Sequence, residues 1–133
     1  MVLVDSSVWI DYFNGRNTAE TDKLHALLGT DLLATGDLIL VEVLQGFRHE
    51  RQYKTAKELL TSLTVFNLLG REAAIHCADN YRRLQRKGIT IRKTADVIIA
   101  TFCITHNLPI LFSDKDFLPF VRHLGLRSVL TQR

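Results

Sequence analysis

Short β-rich apolar runs recur along this chain between longer stretches whose apolar residues follow helical spacing. Val2 to Val4 predicts a strand, and Ser6-Ser7 can cap a helix carrying Val8, Trp9, Tyr12 and Phe13. Gly15-Arg16-Asn17 breaks that helix, and Thr18 to Leu28 reads as a second, with Leu24, Leu27 and Leu28 on one face. Leu32 to Thr35 is a brief strand, after which Gly36-Asp37 supplies a turn and an N-cap. The stretch 38–47 alternates around Glu42 as a strand would, but Asp37 as cap and the helix-forming run after Phe47 favour a helix. Arg51 to Leu63 follows as a helix, with Ala56, Leu59, Leu60 and Leu63 as its buried stripe. Val65-Phe66 reads as a strand, and Glu72 to Lys87 as a long helix stopped by Gly88. Thr94 caps a helix from Ala95 to about His106, and Asn107 ends it. Pro109 to Phe112 is a strand, Phe117 to Leu124 a short helix, and Ser128 to Leu130 a last strand.

Strands alternating with helices across short loops imply an α/β fold with a central, mainly parallel sheet covered on both faces. At 133 residues the expectation is one domain spanning 1–133, with no repeat or linker. The 47% hydrophobic and 23% charged fractions exclude a disordered chain. No apolar run approaches the roughly 20 residues that span a bilayer, and no basic region precedes an apolar stretch at the N-terminus. We therefore expect a cytoplasmic protein with no membrane partner. Cys77 and Cys103 lie far apart in helix-like segments and form no CxxC pair, so they read as buried, reduced thiols. The five histidines are scattered without an HExxH, which argues against zinc.

Candidate chemistry lies in the acids. Asp5 ends the first strand run and Asp114 follows the run Pro109 to Phe112. Asp96 opens the apolar helix beginning Asp96-Val97-Ile98-Ile99, and Glu42 sits within Leu38 to Leu44. Ligands of open parallel sheets bind beyond the carboxyl ends of the strands, at helix starts, so the order of elements predicts that these acids converge. Each has a plainer role alone: Asp5 as a cap, Asp96 as a partner of the helix dipole, Asp114 and Asp116 as a turn, Glu42 in solvent. Together they would repel one another, since two unit charges ~4 Å apart cost about 4 kcal/mol at an effective dielectric near 20. A hard divalent cation resolves that repulsion.

These residues carry a family resemblance. Asp5-Ser6-Ser7-Val8-Trp9-Ile10-Asp11, Glu42 in its apolar helix, Thr94-Ala95-Asp96-Val97-Ile98-Ile99-Ala100 and Leu111-Phe112-Ser113-Asp114-Lys115-Asp116-Phe117 resemble PIN-domain ribonucleases, and more narrowly the VapC toxins of toxin–antitoxin pairs. The resemblance covers essentially the whole chain and implies a three-layer α/β/α PIN-like domain. It implies an endoribonuclease dependent on Mg²⁺, with Mn²⁺ as alternative, that cuts tRNA or another structured RNA. By it, Asp5, Glu42, Asp96 and Asp114 are catalytic, with Asp5, Asp96 and Asp114 as metal ligands. Ser7 orients the first aspartate, and Asp116 is a less regular fifth acid. A VapB-like antitoxin, a homodimer and operator DNA bound only through the antitoxin complex are the implied partners. The alternatives are a non-catalytic RNA- or protein-binding PIN-like module and a metal-dependent DNase.

A net charge of +3 and a pI near 9.1 suit a polyanionic partner, and with the acids gathered at one site the excess positive charge must lie elsewhere. Arg82, Arg83, Arg86 and Lys87 cluster near the end of the long helix, followed by Arg92 and Lys93 just before Asp96. Such cations beside the acids can hold flanking phosphates, or they form a solvated face suited to a helix C-terminus. Arg48, Arg51, Lys54 and Lys57 read as a solvated helix face, and Trp9, Tyr12 and Phe13 as core.

Overall fold

A computed structural model of the chain describes residues 1–130. Its elements run β1 (Val2–Val4), α1 (Ser6–Phe13), α2 (Ala19–Leu27), β2 (Leu33–Gly36), α3 (Asp37–Leu44), α4 (Glu50–Thr61), β3 (Thr64–Phe66), α5 (Arg71–Arg86), α6 (Thr94–Thr105), β4 (Ile110–Leu111) and α7 (Leu118–Leu124). A single 3₁₀ turn, Lys115–Phe117, leads into α7. The four strands form one parallel sheet in the order β3-β2-β1-β4, as the alternation of strands and helices requires.

Strand order decides which face each helix covers. From β1 to β2 to β3 the chain moves one way across the sheet, so right-handed crossovers place α1 to α4 on one face. From β3 to β4 it returns past β1, which places α5 and α6 on the other. Helix contacts follow this division: α1 packs on α2 and α3, α3 on α4, and α5 on α6 and α7. The result is a three-layer α/β/α sandwich with a doubly covered centre. Accordingly Leu3, Val4, Leu33 and Ala34 are all buried, and they join one apolar core with Trp9, Ile39, Leu60, Leu84, Ile99 and Phe120.

Of the caps the sequence offers for α1, Asp5 serves and Ser6-Ser7 does not, because the Asp5 carboxylate accepts the Ser7 N–H. Three details differ from the sequence-based expectation. Gly36 takes the cap position of α3, so Asp37 enters the first turn, where Oδ1 accepts the N–H groups of Leu38 and Leu68. Lys93 is the cap residue of α6, and Thr94 lies inside the helix. Ser128 to Leu130 forms no strand: one parallel bridge joins Ser128 to Ile110 and the ladder goes no further.

Gly36 is fixed by a neighbour rather than by its backbone angle. A Cβ at this position would lie 2.4 Å from Leu68 Cδ1, inside the core where β2 turns into α3. Overpacking of a dense interior costs roughly 1–3 kcal/mol. We expect Gly36→Ala to lose about that much stability in urea unfolding, and an unchanged midpoint would show that Leu68 yields freely.

Candidate active site

β1 and β4 are neighbours, and their carboxyl ends lie at the point where the chain's path across the sheet reverses. Asp5 follows β1, and its N–H donates to Leu111 O at 2.9 Å, stitching the two strand ends together. Asp114 comes three residues after β4 and accepts the Asp116 N–H on Oδ1 at 2.9 Å, opening the 3₁₀ turn. Asp96 stands in the first turn of α6. Glu42 reaches in from α3, on the other layer. Asp5, Glu42, Asp96 and Asp114 thereby line one cavity of about 240 Å³, together with Ser6, Ser7, Ile10, Gln45 and Lys93.

Each acid is held differently. Ser7 donates twice to Asp5 Oδ2, from its hydroxyl at 2.6 Å and its backbone N–H at 3.0 Å. The same hydroxyl accepts the Ser113 N–H at 3.1 Å, so Ser7 ties Asp5 to the segment that carries Asp114. Ser6 donates its hydroxyl to Glu42 Oε1 at 3.1 Å. Apolar neighbours do not bury Glu42: Val41 is 57% exposed and Glu42 itself is half-buried. A serine on α1 does much of the holding. Nothing in the sequence pairs residues that are 36 positions apart, and local sequence offers Ser6 only as a cap.

The electrostatics are strained on one side of the cavity. Asp5 and Asp96 are 2% and 4% exposed, and Asp5 Oδ1 and Asp96 Oδ2 have no hydrogen-bond partner. Burial pushes the Asp5 carboxyl up to about 6; the Ser7 hydroxyl and N–H pull it down, and the Glu42 charge adds a further rise. Burial likewise pushes Asp96 up to about 7, with the charges of Asp5 and Asp114 next in importance. Two buried carboxylate oxygens without donors suit a cation, because a neutral fold would supply hydrogen bonds there. Asp96, Asp114 and Asp116 each bring one oxygen within 4.8 Å of the others. An all-oxygen set of this kind fits a hard divalent ion such as Mg²⁺ or Mn²⁺. Asp116 thus stands nearer to Asp96 and Asp114 than its irregular sequence context suggested, while Asp5 shares the cavity without joining that trio.

The basic residues separate. Lys93 donates its ammonium to Asp114 Oδ2 at 3.2 Å, and an Arg92 guanidinium nitrogen lies 3.7 Å from Asp116 Oδ2. Arg82, Arg86 and Lys87 are exposed on α5 and its C-terminal cap and do not line the acid cavity. Trp9 is fully buried and stacks on Phe13 with ring centroids 5.8 Å apart, consistent with a core role. Both cysteines are buried and unpaired.

A family model described as PIN domain matches residues 2–120. Ribonuclease VapC11 of Mycobacterium tuberculosis is 28% identical over 130 residues, covering 96% of this chain and 97% of the relative. Ribonuclease VapC1 of Methanocaldococcus jannaschii is 28% identical over 126 residues, covering 95% and 85%. In fold, the chain is similar to a crystal structure of VapBC2 from Rickettsia felis bound to a DNA fragment from its promoter. The TM-score is 0.75 at 17% identity, with 96% of this chain and 97% of that chain covered.

Proposed function

The chain belongs to the PIN domain family, and we propose that it is a divalent-metal-dependent endoribonuclease, the toxin of a cytoplasmic toxin–antitoxin pair. The observation that carries this is the pair of buried, donor-free oxygens, Asp5 Oδ1 and Asp96 Oδ2, in a cavity shared with Asp114 and Glu42. Asp96 and Asp114 are the principal metal-holding residues, with Asp5 and Asp116 completing the set directly or through water. Mg²⁺, or Mn²⁺ in its place, acidifies water and offsets phosphate charge when bound.

The chain's own residues then have distinct tasks. Ser7 holds Asp5 Oδ2 and leaves the buried Oδ1 without a hydrogen-bond partner. Glu42, half-buried and held through one oxygen by Ser6, retains a second oxygen to orient the attacking water or take its proton. Lys93, with Arg92, Arg86, Lys87 and Arg82 further off, supplies positive charge for the RNA backbone. RNA is favoured over DNA because both curated relatives above are named ribonucleases. A VapB-like antitoxin is the partner we assign, with operator DNA met through that complex, and the VapBC2 complex on promoter DNA supports both; we assign the toxin itself as a homodimer.

Incubating purified, antitoxin-free protein with a structured RNA pool and a matched DNA pool tests the reading. We expect cutting of RNA with Mg²⁺ or Mn²⁺, none in EDTA, and little cutting of DNA. Equal cutting of DNA makes it a DNase; folded, metal-binding protein that cuts neither pool is a binding module.

A further inference from the structure

Nine described residues line the acid cavity, and Lys93 is the one Lys or Arg among them. Its backbone is fixed: Lys93 caps α6, and its carbonyl accepts the Asp96 N–H at 3.1 Å. Its head is not. The ammonium donates to Asp114 Oδ2 at 3.2 Å while 59% of the side chain stays exposed, so charge rather than packing holds it there. The hydrogen bond and charge of Asp114, then Asp96 and Asp116, all favour its protonated form. A cavity of converging carboxylates without a divalent ion repels itself, and one ammonium offsets only part of that repulsion.

Building on the nuclease reading above, we infer that Lys93 is the exchangeable counter-cation of this site. It holds Asp114 while the acids lack a divalent ion, and turns its ammonium to the scissile phosphate once they hold one. Three physical points favour the exchange. An exposed ion pair is weak, so little opposes its release. A divalent ion carries twice the charge and binds carboxylate oxygens closely. Lysine is a point charge on a flexible stem that finds a phosphate a few ångströms away without moving its backbone. Arg92 is a poorer candidate: it is 81% exposed, meets Asp116 at 3.7 Å and does not line the cavity.

Lys93→Met keeps the stem and removes the charge, and Lys93→Arg keeps the charge. Mn²⁺ binding is measured by calorimetry without RNA, and RNA cleavage by single turnover at saturating Mn²⁺. Relative to the native protein, Lys93→Met is expected to bind Mn²⁺ about two- to fivefold more tightly, since a weak competitor is gone. The same variant should cut roughly tenfold or more slowly, since a phosphate contact is gone. Lys93→Arg should return both values toward native. Arg92→Met removes an equal charge outside the cavity and should move Mn²⁺ affinity far less. A merely structural role would weaken binding and cutting together and lower the melting temperature. Unchanged or weaker Mn²⁺ binding by Lys93→Met, an equal gain in Arg92→Met, or full-rate cutting by Lys93→Met each overturns the inference. If native protein binds Mn²⁺ and cuts no RNA, the nuclease reading and the phosphate role fall together. The Mn²⁺ titration then still decides the counter-cation role.

Discussion

Asp96→Asn will abolish metal-dependent cleavage and, in the same protein, raise the thermal midpoint measured at pH 8 in EDTA. Loss of activity follows from position: Asp96 is buried at the head of α6, with Oδ2 unpartnered and one oxygen within 4.8 Å of its counterparts on Asp114 and Asp116. Removing a charge aimed at the reacting centre costs on the order of 10²–10³ in rate. The gain in stability follows from burial, which pushes this carboxyl up to about 7. At pH 8 the native state must therefore ionise a group that it would rather keep neutral. A shift from 3.8 to about 7 corresponds to an upper limit of about 4 kcal/mol. Asp5 and Asp114 share the repulsion, so the realised gain is smaller, roughly 2 kcal/mol or 5–10 °C. Asparagine keeps the size and shape of the side chain and removes only its charge. Full metal-dependent activity in Asp96→Asn would remove this residue from the reaction; a lower midpoint at pH 8 would mean that its ionised form stabilises the fold.

The convergence on which this prediction rests was legible before any coordinates, because parallel topology is strict about where strand ends meet. Asp5 directly follows Val2 to Val4, Asp114 follows Pro109 to Phe112, and a right-handed crossover returns the start of α6 to the same edge. Helix limits were legible where punctuation is strong, as at Gly88, whose φ of +81° suits the residue after a helix end. Cap positions slipped by a residue because Ser6, Asp5, Asp37 and Thr94 are all competent caps. Backbone geometry chooses among them, and local sequence does not. Ser128 to Leu130 has strand-forming residues, but pairing depends on a neighbour, and its backbone meets the sheet only around Ile110, in a single bridge. Long-range polar contacts were the least accessible. Ser6 with Glu42 and Lys93 with Asp114 join different elements, and Lys93 was read as one of a basic run rather than as part of the acid cavity.

Metal-free protein will be markedly more stable near pH 5 than at pH 8, and a divalent ion will flatten the difference. Asp5 rises from 3.8 to about 6 and Asp96 from 3.8 to about 7. Both folded-state values lie above the unfolded ones, so the native state binds more protons across this window. The associated stability is fully present below about pH 4 and is lost as pH climbs through 6 and 7. Mn²⁺ binds the ionised acids and has no preformed site in the unfolded chain, so at about 100 times its Kd it adds roughly 2.7 kcal/mol. At pH 5 protons compete for the same oxygens, and the ion's contribution should shrink toward zero. Urea unfolding at pH 5, 6, 7 and 8, with Mn²⁺ or with EDTA, measures both slopes. A flat EDTA profile would mean that Asp5 and Asp96 are solvated like surface acids. A Mn²⁺ increment equal at pH 5 and pH 8 would place the ion on groups other than these two.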